Sequence, residues 1–114
     1  MLATFYGGPM LGDIVRCVWC GGENLHHEGL TVFGRSEDND KTLEIEISRM
    51  GEWPTAATRF VPSSQSANPS FRRTGLTVQF WCELCPGLTE LRIAQHKGTT
   101  YSELAKNGKQ LPLE

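Results

Sequence analysis

The chain has 114 residues, of which 39% are hydrophobic and 21% charged, and a formal net charge of −2 at pH 7. That length suits one domain, and the composition suits a folded rather than a disordered chain. The near-neutral charge argues against a generally basic nucleic-acid coat, and no run approaches the roughly 18 apolar residues that a membrane span needs.

Residues 1–15 read as an N-terminal leader; they lack the basic n-region of a secretory signal, so a reducing, cytoplasmic setting is expected. The first cysteine pair follows, Cys17-Val18-Trp19-Cys20, with Gly21 and Gly22 directly after it. Residues 30–35 alternate Leu30, Val32 and Gly34 with Thr31, Phe33 and Arg35. Residues 43–48 alternate Leu43, Ile45 and Ile47 with Glu44, Glu46 and Ser48. Period two with β-branched residues predicts two half-buried strands, joined as a hairpin by the polar 36–41. Residues 51–75 carry Pro62, Pro69, Gly75 and many serines without a period, which predicts a long loop.

The clearest strand is 76–82, which places Leu76, Val78, Phe80 and Cys82 on one face. It ends in the second pair, Cys82-Glu83-Leu84-Cys85, followed by Pro86 and Gly87. Alternation resumes over 88–96 through Leu91 and Ile93, so the second pair caps a hairpin. Residues 101–107 fit one or two helical turns ahead of a tail that ends at 114.

Two CxxC pairs, 61 residues apart (21–81), supply the four ligands of a tetrahedral ion. Redox chemistry would need only one pair and a βαβ setting, and a disulfide framework does not suit a reducing compartment. Cys17, Cys20, Cys82 and Cys85 are therefore expected to hold one structural zinc ion, with glycines that free the backbone to turn its N–H groups toward the sulfurs. Four thiolates leave no position for water, so the metal would not be catalytic. On this reading His26, His27 and His96 are surface or hydrogen-bonding residues, and Trp19 and Trp81, each beside a ligand, shield the metal.

Charge is uneven: residues 1–50 hold four bases against eight acids, and residues 51–114 seven against five. Glu37, Asp38, Asp40, Glu44 and Glu46 read as a solvated hairpin face or as the meeting point for a basic partner. Phe71, Arg72 and Arg73, with Lys97, form the candidate partner-binding set, because an aromatic ring beside guanidinium forks suits stacking and phosphate contact. The competing role for Arg72 and Arg73 is pairing with carboxylates of the sheet and balancing the charge of the metal centre. No nucleophile elbow, phosphate loop or HExxH helix is present, so an enzyme is not expected.

The segments NPSFRRTGLTVQFWCELC (68–85) and LRIAQHKGTT (91–100) resemble small zinc-ribbon-like proteins of bacteria, phages and mobile elements. The matching positions are Cys17, Cys20 and Gly21; Asn68, Pro69, Ser70, Arg72 and Arg73; and Trp81, Cys82, Cys85, Gln95, His96, Lys97 and Gly98. The resemblance covers about two-thirds of the chain. It implies an accessory protein of a phage or mobile element, and no particular activity.

The expectation is a single domain over 1–114, mainly β: a zinc-ribbon-like antiparallel sheet of three to five strands with a long insert between two CxxC knuckles. Its expected function is that of a noncatalytic zinc-stabilised module that binds a protein partner. The alternative is a nucleic-acid-binding zinc ribbon that uses the loop around Arg72 and Arg73.

Overall fold

A computed structural model describes residues 13–50 and 53–107. Most of the expected leader, the tail beyond 107 and the first two residues of the expected long loop lie outside that range. Six strands form one antiparallel sheet: β1 (Leu25–Gly34), β2 (Lys41–Met50), β3 (Trp53–Pro62), β4 (Gly75–Cys82), β5 (Leu88–His96) and β6 (Thr99–Lys106). Their order is β3-β2-β1-β4-β5-β6, so two three-stranded meanders meet along β1 and β4, and β3 and β6 are the edges.

Six strands replace the expected three to five, and the two additions come from segments read differently in the sequence. Residues 53–62 of the expected loop are β3, paired with β2 from Lys41↔Pro62 to Met50↔Trp53. Only 63–74 remains irregular, and it begins with a short 3-10 turn at Ser63–Gln65. The expected helix over 101–107 is β6. Lys97 and Gly98 both take positive φ, 51° and 81°, and form a two-residue connection with His96 opposite Thr99. Such turns match the strand twist and fold the chain straight back as a hairpin.

The registers assign the strand residues to two faces, apart from Glu28 at the irregularity between His27 and Gly29. One face carries Leu43, Ile45 and Ile47 of β2, Leu30 and Val32 of β1, Leu76, Val78 and Phe80 of β4, and Leu91 and Ile93 of β5. Phe60 on β3 and Leu104 on β6 extend it to both edges. The other face carries Thr31, Phe33, Glu44, Glu46, Arg59, Thr77, Gln79, Glu90, Arg92, Tyr101 and Glu103. In most half-solvated sheets the apolar face is the buried one. Here Thr31, Phe33, Glu44 and Thr77 of the polar face are buried, whereas Leu30, Val32, Ile45, Leu76, Val78, Leu91 and Ile93 stay half-buried.

The cause is the path of residues 63–74, which carry the chain from the edge at β3 past β2 and β1 to β4, over the polar face. Ser66 Oγ donates to Glu44 Oε2 at 2.7 Å. Asn68 shapes the bend: its Nδ2 donates to Arg73 O at 2.8 Å and its Oδ1 accepts from Ser70 N at 2.9 Å. Ser70 Oγ donates to Thr74 O at 2.8 Å and accepts from Gln95 N at 2.9 Å. A side chain at Gly75 would lie 2.2 Å from Asn68 Oδ1, so only glycine lets this bend close on β4. The Asn-Pro-Ser segment is thus a structural corner.

Candidate metal centre

Strand β4 delivers Cys82 at its last residue, and the turn before β5 brings Cys85 round beside it. The first knuckle precedes β1 and closes on itself: Cys17 N donates to Gly22 O, and Gly21 N to Cys17 O, both at 2.9 Å. Gly21 has φ +79°, the left-handed conformation that favours glycine. Val18 N donates to Thr89 Oγ1 at 3.1 Å, and Trp19 Nε1 to Leu88 O at 2.8 Å, which docks the knuckle against the start of β5. Gly87 fits beneath the Trp19 ring, where a Cβ would lie 2.3 Å from Trp19 Cδ1. Its role is therefore close approach; among the glycines after the knuckles, only Gly21 takes positive φ.

These contacts bring Cys17, Cys20, Cys82 and Cys85 together, with one sulfur from each lying within 4.8 Å of the others. Cys17 Sγ is 3.6 Å from Cys85 Sγ, and Cys20 Sγ is 3.6 Å from Cys82 Sγ, so close contacts join the two knuckles. A disulfide needs about 2.05 Å. A tetrahedron with metal–sulfur bonds of about 2.3 Å has edges near 3.8 Å, within the observed range. The four cysteines could thus hold one metal ion. Trp19 N donates to Cys17 Sγ at 3.4 Å, and Leu84 N to Cys82 Sγ at 3.3 Å; each pair places an amide two residues on against its first sulfur. Amides so directed favour thiolate over thiol.

Ionisation within the cluster is divided. Burial pushes the Cys17 thiol up, but backbone N–H groups of Cys20 and Trp19, the Thr89 hydroxyl and Cys85 outweigh it and bring it to about 6. The Gly87 amide lowers Cys85, yet burial and the three neighbouring sulfurs carry it up to about 12. Cys20 is also raised, its Gly22 amide outweighed by Cys82, burial and Cys17. One thiolate forms readily and opposes the next, a conflict that a bound cation removes.

The other singled-out residues fall elsewhere. His26 stacks on Trp81 with ring centroids 4.3 Å apart and hydrogen-bonds Glu83; His27 lies against Phe80. Trp81, one residue before Cys82, faces the opposite side of the sheet, so it does not shield the metal site as expected. Trp19 does lie beside the cluster, with Lys106 Nζ 4.4 Å from its ring centroid.

Phe71, Arg72, Arg73 and Lys97 gather at the far end of β4 from the cysteines. Arg72 holds Asp38 with two hydrogen bonds of 2.7 Å and reaches Glu37 at 3.1 Å. Arg73 pairs with Glu37 at 3.2 Å, and the Phe71 carbonyl accepts from Arg35. Both arginines therefore meet carboxylates of the β1–β2 connection. Phe71 stays 83% exposed, and Lys97 occupies the exposed hairpin turn.

A cleft of about 720 Å³ opens on the polar face between the 63–74 connection and β6. Arg59 pairs with Glu44 at 2.9 Å and Glu46 at 3.5 Å; Arg92 pairs with Glu90 and Glu103, each at 3.2 Å. Glu44, read in the sequence as part of a solvated acidic face, is only 5% exposed. Its partner is Arg59, a basic candidate that the sequence reading places in the long loop; the β2–β3 register that sets it opposite Glu44 is what the sequence does not reveal. Among the described residues no helix is long and apolar enough to cross a membrane.

No protein-family model, no curated protein and no solved structure matches this chain.

Proposed function

We propose that the protein is a noncatalytic interaction module, held at one end by a single zinc ion on Cys17, Cys20, Cys82 and Cys85, and that it binds a protein partner. The thiol cluster carries this reading. Four sulfurs converge from both knuckles, and a four-thiolate ion has no open position for substrate or water. Zinc suits such a donor set and stays redox-inert. The glutamates of the cleft are paired with Arg59 and Arg92 rather than set against a nucleophile, which supports binding over catalysis.

The partner surface we assign is the far end, where Phe71 and Lys97 stand exposed above the paired Arg72 and Arg73. Engagement of both guanidinium groups by Glu37 and Asp38 favours a protein partner over the nucleic-acid alternative, which needs those forks free for phosphate. The resemblance to zinc-ribbon-like proteins of phages and mobile elements supports a reading as an accessory protein that meets a host component in the cytoplasm.

Elemental analysis of reduced protein should find one zinc per chain. Capture from nuclease-treated lysate should persist for the wild type and fall for Phe71→Ala, whose melting should not change. Binding to DNA or RNA with a steep inverse salt dependence would instead favour the nucleic-acid reading.

A further inference from the structure

Among the described residues the apolar face has no second layer. The extensive contacts between elements are all between hydrogen-bonded neighbours within the sheet. Among the described residues the first knuckle covers one corner, where Phe80 and Thr89 are buried. Elsewhere Ile47 and Leu104 are each 40% exposed and Phe60 is 72% exposed. The buried apolar residues among those described are only Cys17, Phe33, Phe80 and Cys82. A sheet gains its stability by burying one face against another layer, and the described residues supply none over most of this face.

We infer that the face built around Ile45, Val32, Val78 and Ile93 packs against the same face of a second copy, giving a two-layer β-sandwich. Three observations select this occupant. First, the face is self-complementary: its central positions on β2, β1, β4 and β5 are Leu, Ile or Val, with no charged residue among them, so a two-fold axis brings apolar groups onto apolar groups.

Second, the size is right. Six strands spaced about 4.8 Å apart, each presenting some 20–30 Å of length, offer roughly 600–800 Å². A standard stable interface buries about 800 Å² per partner.

Third, the edges are blunted. Pro54 and Pro62 lie in edge strand β3, and Glu103 and Lys106 in edge strand β6. Such residues discourage edge-to-edge pairing, which leaves face-to-face stacking as the closed mode of association. This dimer is independent of the partner surface assigned above, because Phe71 and Lys97 lie at the end of the sheet.

Sedimentation of the full-length, metal-loaded protein at micromolar concentration should give twice the 12.7 kDa chain mass. Val78→Asp should weaken self-association by about a hundredfold or more, because it buries a carboxylate in an apolar interface. Isotope-filtered NMR on mixed labelled and unlabelled wild-type protein removes dependence on that variant folding. It should show intermolecular contacts among the methyls of Ile45, Val78 and Ile93. A monomer at these concentrations overturns the inference, as does a dimer whose intermolecular contacts fall on other residues. Loss of lysate capture by Phe71→Ala leaves the dimer unaffected, so the two readings fail separately.

Discussion

Gly87 sits where Trp19 needs the space. The ring crosses directly above its Cα, and its indole N–H is committed to Leu88 O at 2.8 Å. Gly87→Ala must push the ring aside, breaking that bond and loosening the first knuckle beside the cysteines. We expect a loss of about 1–3 kcal/mol, the usual cost of overpacking, measured by denaturant unfolding together with weaker metal retention.

At the far end of the sheet the Asp38–Arg72 pair makes a prediction about pH. The hydrogen-bonded Arg72 guanidinium holds the Asp38 carboxyl below its ordinary value of 3.8, despite the opposing effect of burial. A depressed folded-state value means that the pair stabilises the fold above the unfolded value and that this contribution is lost as pH falls through the folded one. Carboxyl-carbon NMR should place the Asp38 midpoint below 3.8, and Arg72→Ala should return it to the ordinary range.

Among the elements, β2 and β3 share an ion pair whose carboxylate is buried. Glu44 is buried, with Arg59 across the ladder on one side and Ser66 Oγ on the other. Arg59→Ala leaves that carboxylate one partner short and should cost about 1–3 kcal/mol. Pairing the change with Glu44→Gln should recover part of the loss, and chemical denaturation of the single and double variants checks both expectations.

Strands β1, β2, β4 and β5 were legible because each alternates large apolar residues with polar ones. Strands β3 and β6 were not, because edge strands need no such pattern. The sequence of β3, Trp-Pro-Thr-Ala-Ala-Thr-Arg-Phe-Val-Pro, has no apolar–polar alternation between its two prolines, and every residue from Trp53 to Phe60 is exposed. In β6 the hairpin turn, not the strand, decides the conformation. The four cysteines were legible from their spacing, since two CxxC pairs define a tetrahedral donor set wherever they meet. The charged cleft was not, because it depends on Arg59 and Arg92 standing opposite acids on neighbouring strands, a matter of register.

For the whole molecule, the cysteine cluster closes a long loop. The intervening residues 21–81 number 61, and closing such a loop costs several kcal/mol of chain entropy. Structural zinc in small peptides contributes about 10–16 kcal/mol at neutral pH, which exceeds that cost. Chelation should therefore lower the melting temperature sharply or abolish the cooperative transition, and calorimetry with and without chelator distinguishes these outcomes from an unchanged melt. Cys82→Ser should behave like the chelated protein.

The four sulfurs are not equally accessible. Cys20 is exposed at the surface and Cys85 half-buried, while Cys17 and Cys82 are buried. An alkylating reagent or peroxide therefore meets one atom of the cluster first, and in the proposed metal centre the loss of that sulfur would open the route to the rest. Mass spectrometry during slow alkylation should show Cys20 modified ahead of the others, with the remaining three following as a group once the centre has come apart.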